Sequence, residues 1–332
     1  MSSFLIALCC CTSLILVFRR FAHSLGLMDH PDARKQHHCP IPTVGGSAMY
    51  IAVMAVLFFE HHFTGNVSYL MACAGGLMAL GLLDDKHGLP VSIRLMIQIV
   101  LVLIVIGGAD ATISYLGTWS GSDVRLALMF AIPFSLIAFV GSVNAMNMID
   151  GADGMAGSMA FITILGAMIL LMVHPVADVP LVLPLSLLGA LAAFLLFNSR
   201  LLVRRAWIFM GDAGSMWLGL VVAWLLAQIA QGGNEPWVVL WLFGLPLIDT
   251  LTVMFRRIHR KKSPFVADRT HIHHVLERKG FSTGKAVLWS SVGQLLLVSI
   301  GVVFYLTGAS TILVFGSFVL LFVAYYYLLR HC

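Results

Sequence analysis

Long apolar runs broken by short polar segments make up almost the whole 332-residue chain. A helix rising 1.5 Å per residue crosses the ~30 Å hydrocarbon core with about 20 apolar residues. On that measure the pattern predicts about eleven transmembrane helices, over residues 3–18, 44–59, 67–83, 92–108, 126–143, 157–173, 181–197, 214–230, 237–255, 287–306 and 311–329. The expected fold is all-α: a polytopic membrane protein forming one integrated domain over residues 1–332, with no separate soluble domain. The opening MSSFLIALCCCTSLILVFRR has no positive n-region and no small-residue cleavage site. A retained first helix is expected there rather than a cleaved signal peptide.

The polar segments between the runs are unequal. Arg19, Arg20, Arg34, Lys35, Lys86, Arg200, Arg204, Arg205 and the cluster from Arg256 to Lys262 fall in every second one, and only Arg125 lands on the other side. The positive-inside rule makes the basic side cytoplasmic, which puts the N-terminus outside and the C-terminus inside. Charged residues are 11% of the chain, against roughly 25% in a soluble domain, and the net charge is +5. Basic loops beside an anionic leaflet gain ~1 kcal/mol per residue, which accounts for that excess. No basic stripe with interleaved aromatics lies outside the membrane belt, so nucleic-acid binding is excluded. The six cysteines form no CxxC or Cys/His spacing, and support neither a disulfide framework nor a zinc site.

The outward segments are short and plain, for example HPVADVP and QGGNEP. The inward ones carry the chemistry: DHPDARKQHHCPIPTVGG, LLDDKHGLP, NAMNMIDGADGMAG, RRAWIFMGDAGS and RRIHRKKSPFVADRTHIHHVLERKG. Asp84, Asp85, Asp150, Asp153 and Asp212 each stand at or near the end of an apolar span, where an ionised carboxylate is costly without a partner or a task. Helix capping explains a single acid such as Asp212 before AGSMWLG. It does not explain adjacent acids, and five on one face call for a cation. An all-oxygen set suits Mg²⁺ or Mn²⁺, held by one or two carboxylates and completed by substrate phosphate and water.

On the same face lie Lys35, Arg269 and the run His271-Ile272-His273-His274. Basic neighbours favour an anion over a second dication for these histidines, although metal ligation and a plain interfacial loop stay open. Asp249, inside the ninth span and after Pro246, reads either as a side chain facing the bundle at a helix kink or as an acid at the floor of a cleft. No Walker loop or GxGxxG is present, so a nucleotide would be bound by loops at the membrane surface. An ion-coupled transporter also uses paired acids, but near the midplane at broken helices related by a repeat. Here the acids sit at span ends and no repeat between halves is visible.

Six motifs in order carry a resemblance over nearly the whole chain: RKxH with IPxVGG at 34–46, LLDD at 82–85, NAMNMIDGADGMAG at 144–157, FMGDAGS at 209–215, PLIDT at 246–250 and SPFVADRTHIHH at 263–274. On these the chain resembles the polyprenyl-phosphate N-acetylhexosamine-1-phosphate transferases. The resemblance implies transfer of GlcNAc-1-phosphate from UDP-GlcNAc to undecaprenyl phosphate, giving the lipid-diphosphate sugar and UMP. It further implies dependence on Mg²⁺ (or Mn²⁺), the bacterial inner membrane, and the initiating step of a lipid-linked surface glycan of the O-antigen type. SPFVADRTHIHH resembles the GlcNAc branch; another UDP-HexNAc or UDP-MurNAc-pentapeptide is the alternative donor, and a homo-oligomer stays open.

Carried over by motif, Asp84 and Asp85 match the paired aspartates linked to metal and to activating the lipid phosphate. Asp150 and Asp153 match the catalytic loop, with Asn147 beside them for the uridine diphosphate. Asp212 matches the metal aspartate, and His271, His273 and His274 the motif proposed to hold the donor's phosphates, with Arg269 and Lys35 nearby. Cys39 stands where relatives often carry Gly and Met155 where Leu is usual, which bears only on the shape of the 34–46 loop.

Overall fold

Apolar helices that meet no water must satisfy every backbone group within themselves, and the chain does this with thirteen helices and two small antiparallel β-pairs among the described residues. The structure, a computed structural model, describes residues 1–29, 39–63, 65–233, 235–261, 263 and 270–329. The helices are α1 (Ser2–Phe21), α2 (Gly45–Phe59), α3 (Gly65–His87), α4 (Val91–Gly108), α5 (Leu128–Ile149), α6 (Met155–Val173), α7 (Val182–Asn198), α8 (Gly211–Gly232), α9 (Val238–Leu242), α10 (Gly244–His259), α11 (Ile272–Arg278), α12 (Thr283–Leu306) and α13 (Thr311–Leu329). Helix covers every apolar segment expected from the sequence. Among the described residues eight helices are long and apolar enough to cross a membrane, against about eleven expected, and the protein is an all-α polytopic membrane protein.

Helix α8 is the axis of the bundle. It is buried without interruption from Ala213 to Ala230 and packs against α2, α3, α5 and α6. Its two tryptophans are fully buried and donate to carbonyls at helix ends: Trp217 Nε1 to Gly46 O (3.1 Å) and Trp224 Nε1 to Ala109 O (3.0 Å). Small residues let the backbones approach, as expected where close packing rather than water drives association. A Cβ on Gly81 of α3 would collide with the backbone of Ala213. This contact fixes the end of α3 against the start of α8.

The ninth apolar segment is broken. Between α9 and α10 the helical ladder lapses, and Gln294 of α12, fully buried, replaces it. Gln294 Nε2 donates to Leu242 O (2.7 Å) and Gln294 Oε1 accepts from Leu245 N (2.9 Å), while Thr163 Oγ1 also donates to Leu242 O (2.8 Å). Side-chain partners of this kind are what make a broken helix tolerable in lipid.

The segment before α5, expected to be a plain loop, is instead a hairpin of β3 (Tyr115–Trp119) and β4 (Ser122–Arg125). Its two-residue turn, Ser120-Gly121, has positive φ at both positions (50° and 86°), the type I′ geometry that suits a twisted hairpin. Gln231 Oε1, near the end of α8, accepts from Ser114 N and Tyr115 N (both 2.9 Å), and Trp119 packs on Trp237 and Phe315. The alternation of Tyr115, Thr118 and Trp119 was too short to announce a strand. The hairpin closes the end of the bundle opposite the acids. At that first end, β1 (Met28–Asp29) pairs with β2 (Ile41–Pro42).

Candidate active site

The acids gather where α3 and α5 end and α8 begins. Asp84, Asp85, Asp150, Asp153 and Asp212 all line one cavity of about 940 Å³, together with Arg94, Arg200 and His274. Three apolar runs far apart in sequence thus deliver their polar ends to one place.

Adjacent Asp84 and Asp85 have different partners, which resolves their repulsion. Asp84 is buried; its Oδ1 accepts from Leu89 N (2.7 Å) and its Oδ2 from Arg94 Nη1 (2.5 Å). Asp85 caps the start of α8: its carboxylate accepts from Asp212 N (3.1 Å) and Ala213 N (3.5 Å). Those N–H groups have no intrahelical acceptor and carry the positive end of the helix dipole. The capping role that the sequence offered to Asp212 therefore belongs to Asp85. Gly211 makes this fit: its φ of +72° is left-handed, and a Cβ there would lie 2.6 Å from Asp85 Oδ2.

Asp212, in the first turn of α8, is left to face the cavity. Asn147 Nδ2 donates to its Oδ1 (2.8 Å) and to Ser215 Oγ (3.0 Å), and Arg94 Nη1 lies 3.7 Å from its Oδ2. Asn144, one turn earlier, bonds Gln98 Oε1 (2.8 Å) inside the bundle and does not reach the site. The three-residue polar repeat is not one face: α5 stops at Ile149, and α6 restarts after Gly154, whose φ is +92°. The loop between them carries Asp150 and Asp153. Burial, then repulsion from Asp212, Asp85 and Asp153, raises the Asp150 carboxyl well above the ordinary carboxylate range. Asp153 is held by Arg200 Nε at 2.7 Å.

The histidines divide. His274 lines the cavity and stands 3.7 Å from Glu277. His271 and His273 are buried and do not line it. His273 lies against the 150–154 loop, where a Cβ on Gly151 would be 2.6 Å from its Nε2, and burial beside two other histidines lowers its pKa to about 3. Asp249 is also buried and away from the cavity lining, so it is not the floor of the cleft; it holds His271 instead. Lys35 and Arg269 lie outside the described residues.

Two cations escaped the sequence reading. In the sequence Arg200 is one more basic residue of the cytoplasmic boundary and Arg94 adjoins the same boundary, yet both line the cavity and bond its aspartates. The signal was faint: Arg94 stands inside the first turn of an apolar span, where a charge without a partner is costly. Even with them, among the described residues seven carboxylates line the cavity against three permanent cations, Lys86, Arg94 and Arg200. Among the described residues no three His, Cys, Asp or Glu side chains form a preassembled metal site.

The bundle therefore carries a polar cavity lined by both acids and bases at one end, and comparison with known proteins gives its class as a membrane transferase. Residues 67–230, from α3 through α8, match the family model for glycosyl transferase family 4. The chain is 33% identical over 305 residues to the undecaprenyl-phosphate alpha-N-acetylglucosaminyl 1-phosphate transferase of Escherichia coli strain K12, covering 91% of this chain and 83% of the relative. The protein of the same name from Yersinia pestis is 33% identical over 293 residues (87% and 80% covered), and that from Haemophilus influenzae 27% over 321 (96% and 90%). The chain belongs to glycosyl transferase family 4, the polyprenyl-phosphate N-acetylhexosamine-1-phosphate transferases, and is a multi-pass protein of the inner membrane. The matched stretch holds Asp84, Asp85, Asp150, Asp153, Asp212 and Asn147 but not Asp249, His271, His273 or His274.

Proposed function

We propose that this protein transfers GlcNAc-1-phosphate from UDP-GlcNAc to undecaprenyl phosphate, releasing UMP, with the cavity on the cytoplasmic side of the membrane. The observation that carries this is the joining of three motifs: Asp85 of α3 seated on the N-terminus of α8, Asp212 beside it, and Asn147 of α5 bonded to Asp212. The names of the relatives give undecaprenyl phosphate as their acceptor and N-acetylglucosaminyl 1-phosphate as the group they transfer, which supports UDP-GlcNAc as the donor here. Lys86, Arg94 and Arg200 lie at the cavity, which by the positive-inside rule supports a cytoplasmic orientation for that end.

The excess of carboxylates over cations fits Mg²⁺, which takes one or two carboxylates and completes its shell with phosphate and water. Asp212 and Asp85 would hold it, and when bound it would neutralise charge on the diphosphate. The chain's own contribution is positional. A lipid-phosphate oxygen forms a bond to the β-phosphorus of the donor, the bond from that phosphorus to the bridging oxygen breaks, and UMP leaves with that oxygen. The lipid phosphate is already an anion at pH 7, so orientation and charge neutralisation dominate over proton transfer. Arg94, Arg200 and His274 offer donors to phosphate oxygens, while Asp153 keeps Arg200 aimed into the cavity.

The test is turnover by the purified protein in lipid nanodiscs, given undecaprenyl phosphate, Mg²⁺ and a panel of UDP-sugars. UMP release with UDP-GlcNAc, abolished by EDTA, is expected. Release only with another UDP-amino sugar would move the donor assignment, and release with none would overturn the activity.

A further inference from the structure

Asp249 is one of the most deeply buried charges in the chain, at 1% exposure, and it bonds three groups from two other elements. Its Oδ2 lies 2.7 Å from Nδ1 of His271; its Oδ1 accepts from Ile272 N (3.0 Å) and from the phenol of Tyr325 (3.0 Å). Ile272 opens α11, and Tyr325 belongs to α13, the last apolar helix. A carboxylate buried in an apolar bundle persists only when its oxygens are satisfied, and here each partner also gains a fixed place. The places of three histidines in the N-cap and first turn of α11 then follow from one anchor: His271 fixed by its ring, His273 pressed on the 150–154 loop, His274 brought to the cavity wall. The anchor itself is oriented by the break before α10, which Gln294 pins at Leu242 and Leu245.

We propose that Asp249, with Tyr325, is a positioning residue for nucleotide-sugar binding: it acts through His271 to set α11 so that His274 meets the donor's phosphates. The proposal rests on the transferase reading above. It assigns a role to α13, which contributes no residue to the cavity lining. The tautomer follows too: His271 presents its Nδ1–H to the carboxylate, leaving Nε2 as the remaining ring donor or acceptor.

The test compares the wild-type protein with Asp249→Asn, Tyr325→Phe, His271→Gln and the double variant Asp249→Asn/His271→Gln in nanodiscs, with KM measured separately for UDP-GlcNAc and for undecaprenyl phosphate. Wild-type turnover establishes the activity independently. The expected result is a KM for the donor raised about 10-fold in Asp249→Asn and 2- to 5-fold in Tyr325→Phe, with KM for the lipid unchanged. The double variant should be no worse than His271→Gln alone, because two residues acting through one contact are not additive. Additive losses, or equal rises in both KM values, would overturn the proposal and leave Asp249 with a general packing role. Tyr325→Phe removes a single oxygen, so it decides the matter if Asp249→Asn does not fold; an unchanged donor KM in it would then reject the proposal.

Discussion

Gly211→Ala is the sharpest test of how α8 and the acids are joined. At φ +72° an alanine costs ~1–2 kcal/mol in left-handed strain. Its Cβ would start 2.6 Å from Asp85 Oδ2, so the carboxylate must retreat by about 0.8 Å to reach ordinary contact. That movement breaks the contacts to Asp212 N and Ala213 N, worth ~1 kcal/mol each for bonds open to solvent. The sum is about 3 kcal/mol, and if it falls on the reacting arrangement, turnover drops about 100-fold at ~1.4 kcal/mol per decade. UMP release measures this, with thermal unfolding in the same detergent as the stability readout. Gly293→Ala is the control: φ there is not left-handed and nothing lies within 4 Å of its Cβ, so it should keep full activity. A Gly211→Ala protein that is folded and retains more than about a third of wild-type turnover would refute the reasoning.

Asp212→Asn should lower turnover by orders of magnitude at normal expression, because Asn147 and Arg94 would lose their anionic partner and the cavity one of its carboxylates; near-normal activity with Mg²⁺ would remove Asp212 from the site. Arg200→Ala should remove the ion pair with Asp153 and weaken donor binding about 10-fold in kcat/KM, with the pair's partial exposure keeping the stability change small, as read by thermal unfolding. Burial holds His273 neutral in the folded protein down to about pH 3, whereas the unfolded chain protonates near its ordinary 6.5. The folded pKa is the lower one, so stability is full above about pH 6.5 and is lost as pH falls toward 3; His273→Phe should flatten the thermal midpoint over pH 4–7. Gln294→Leu leaves Leu245 N without its acceptor at the helix break, at a cost of ~1–3 kcal/mol, and should lower the thermal midpoint without changing which substrates are used.

What the sequence determined by itself was everything set by solvent. Apolar runs of membrane length fix helices over their length, and helix covers each expected segment, the ninth in two pieces. Charges at span ends marked the chemical face, because a carboxylate near hydrocarbon is too costly to be idle. The same logic found Asp84, Asp85, Asp150, Asp153 and Asp212 before any packing was known. It also misjudged polar groups whose meaning depends on a neighbour from elsewhere in the chain. For Asp212, helix capping competes with metal binding in the sequence, and Asp85 is the residue that takes the two N–H groups. The ring of His273 read as a phosphate ligand and is a neutral wall against Gly151. Arg94 and Arg200 read as ordinary basic boundary residues. Only the tertiary structure, through close approach of α3 to α8 at Gly81 and of the 150–154 loop to Arg200, decided which carboxylates are already paired and which remain open to a ligand. The reason is range: the transfer of a side chain from water is settled locally, while an ion pair or a cap depends on ångström distances between segments more than forty residues apart.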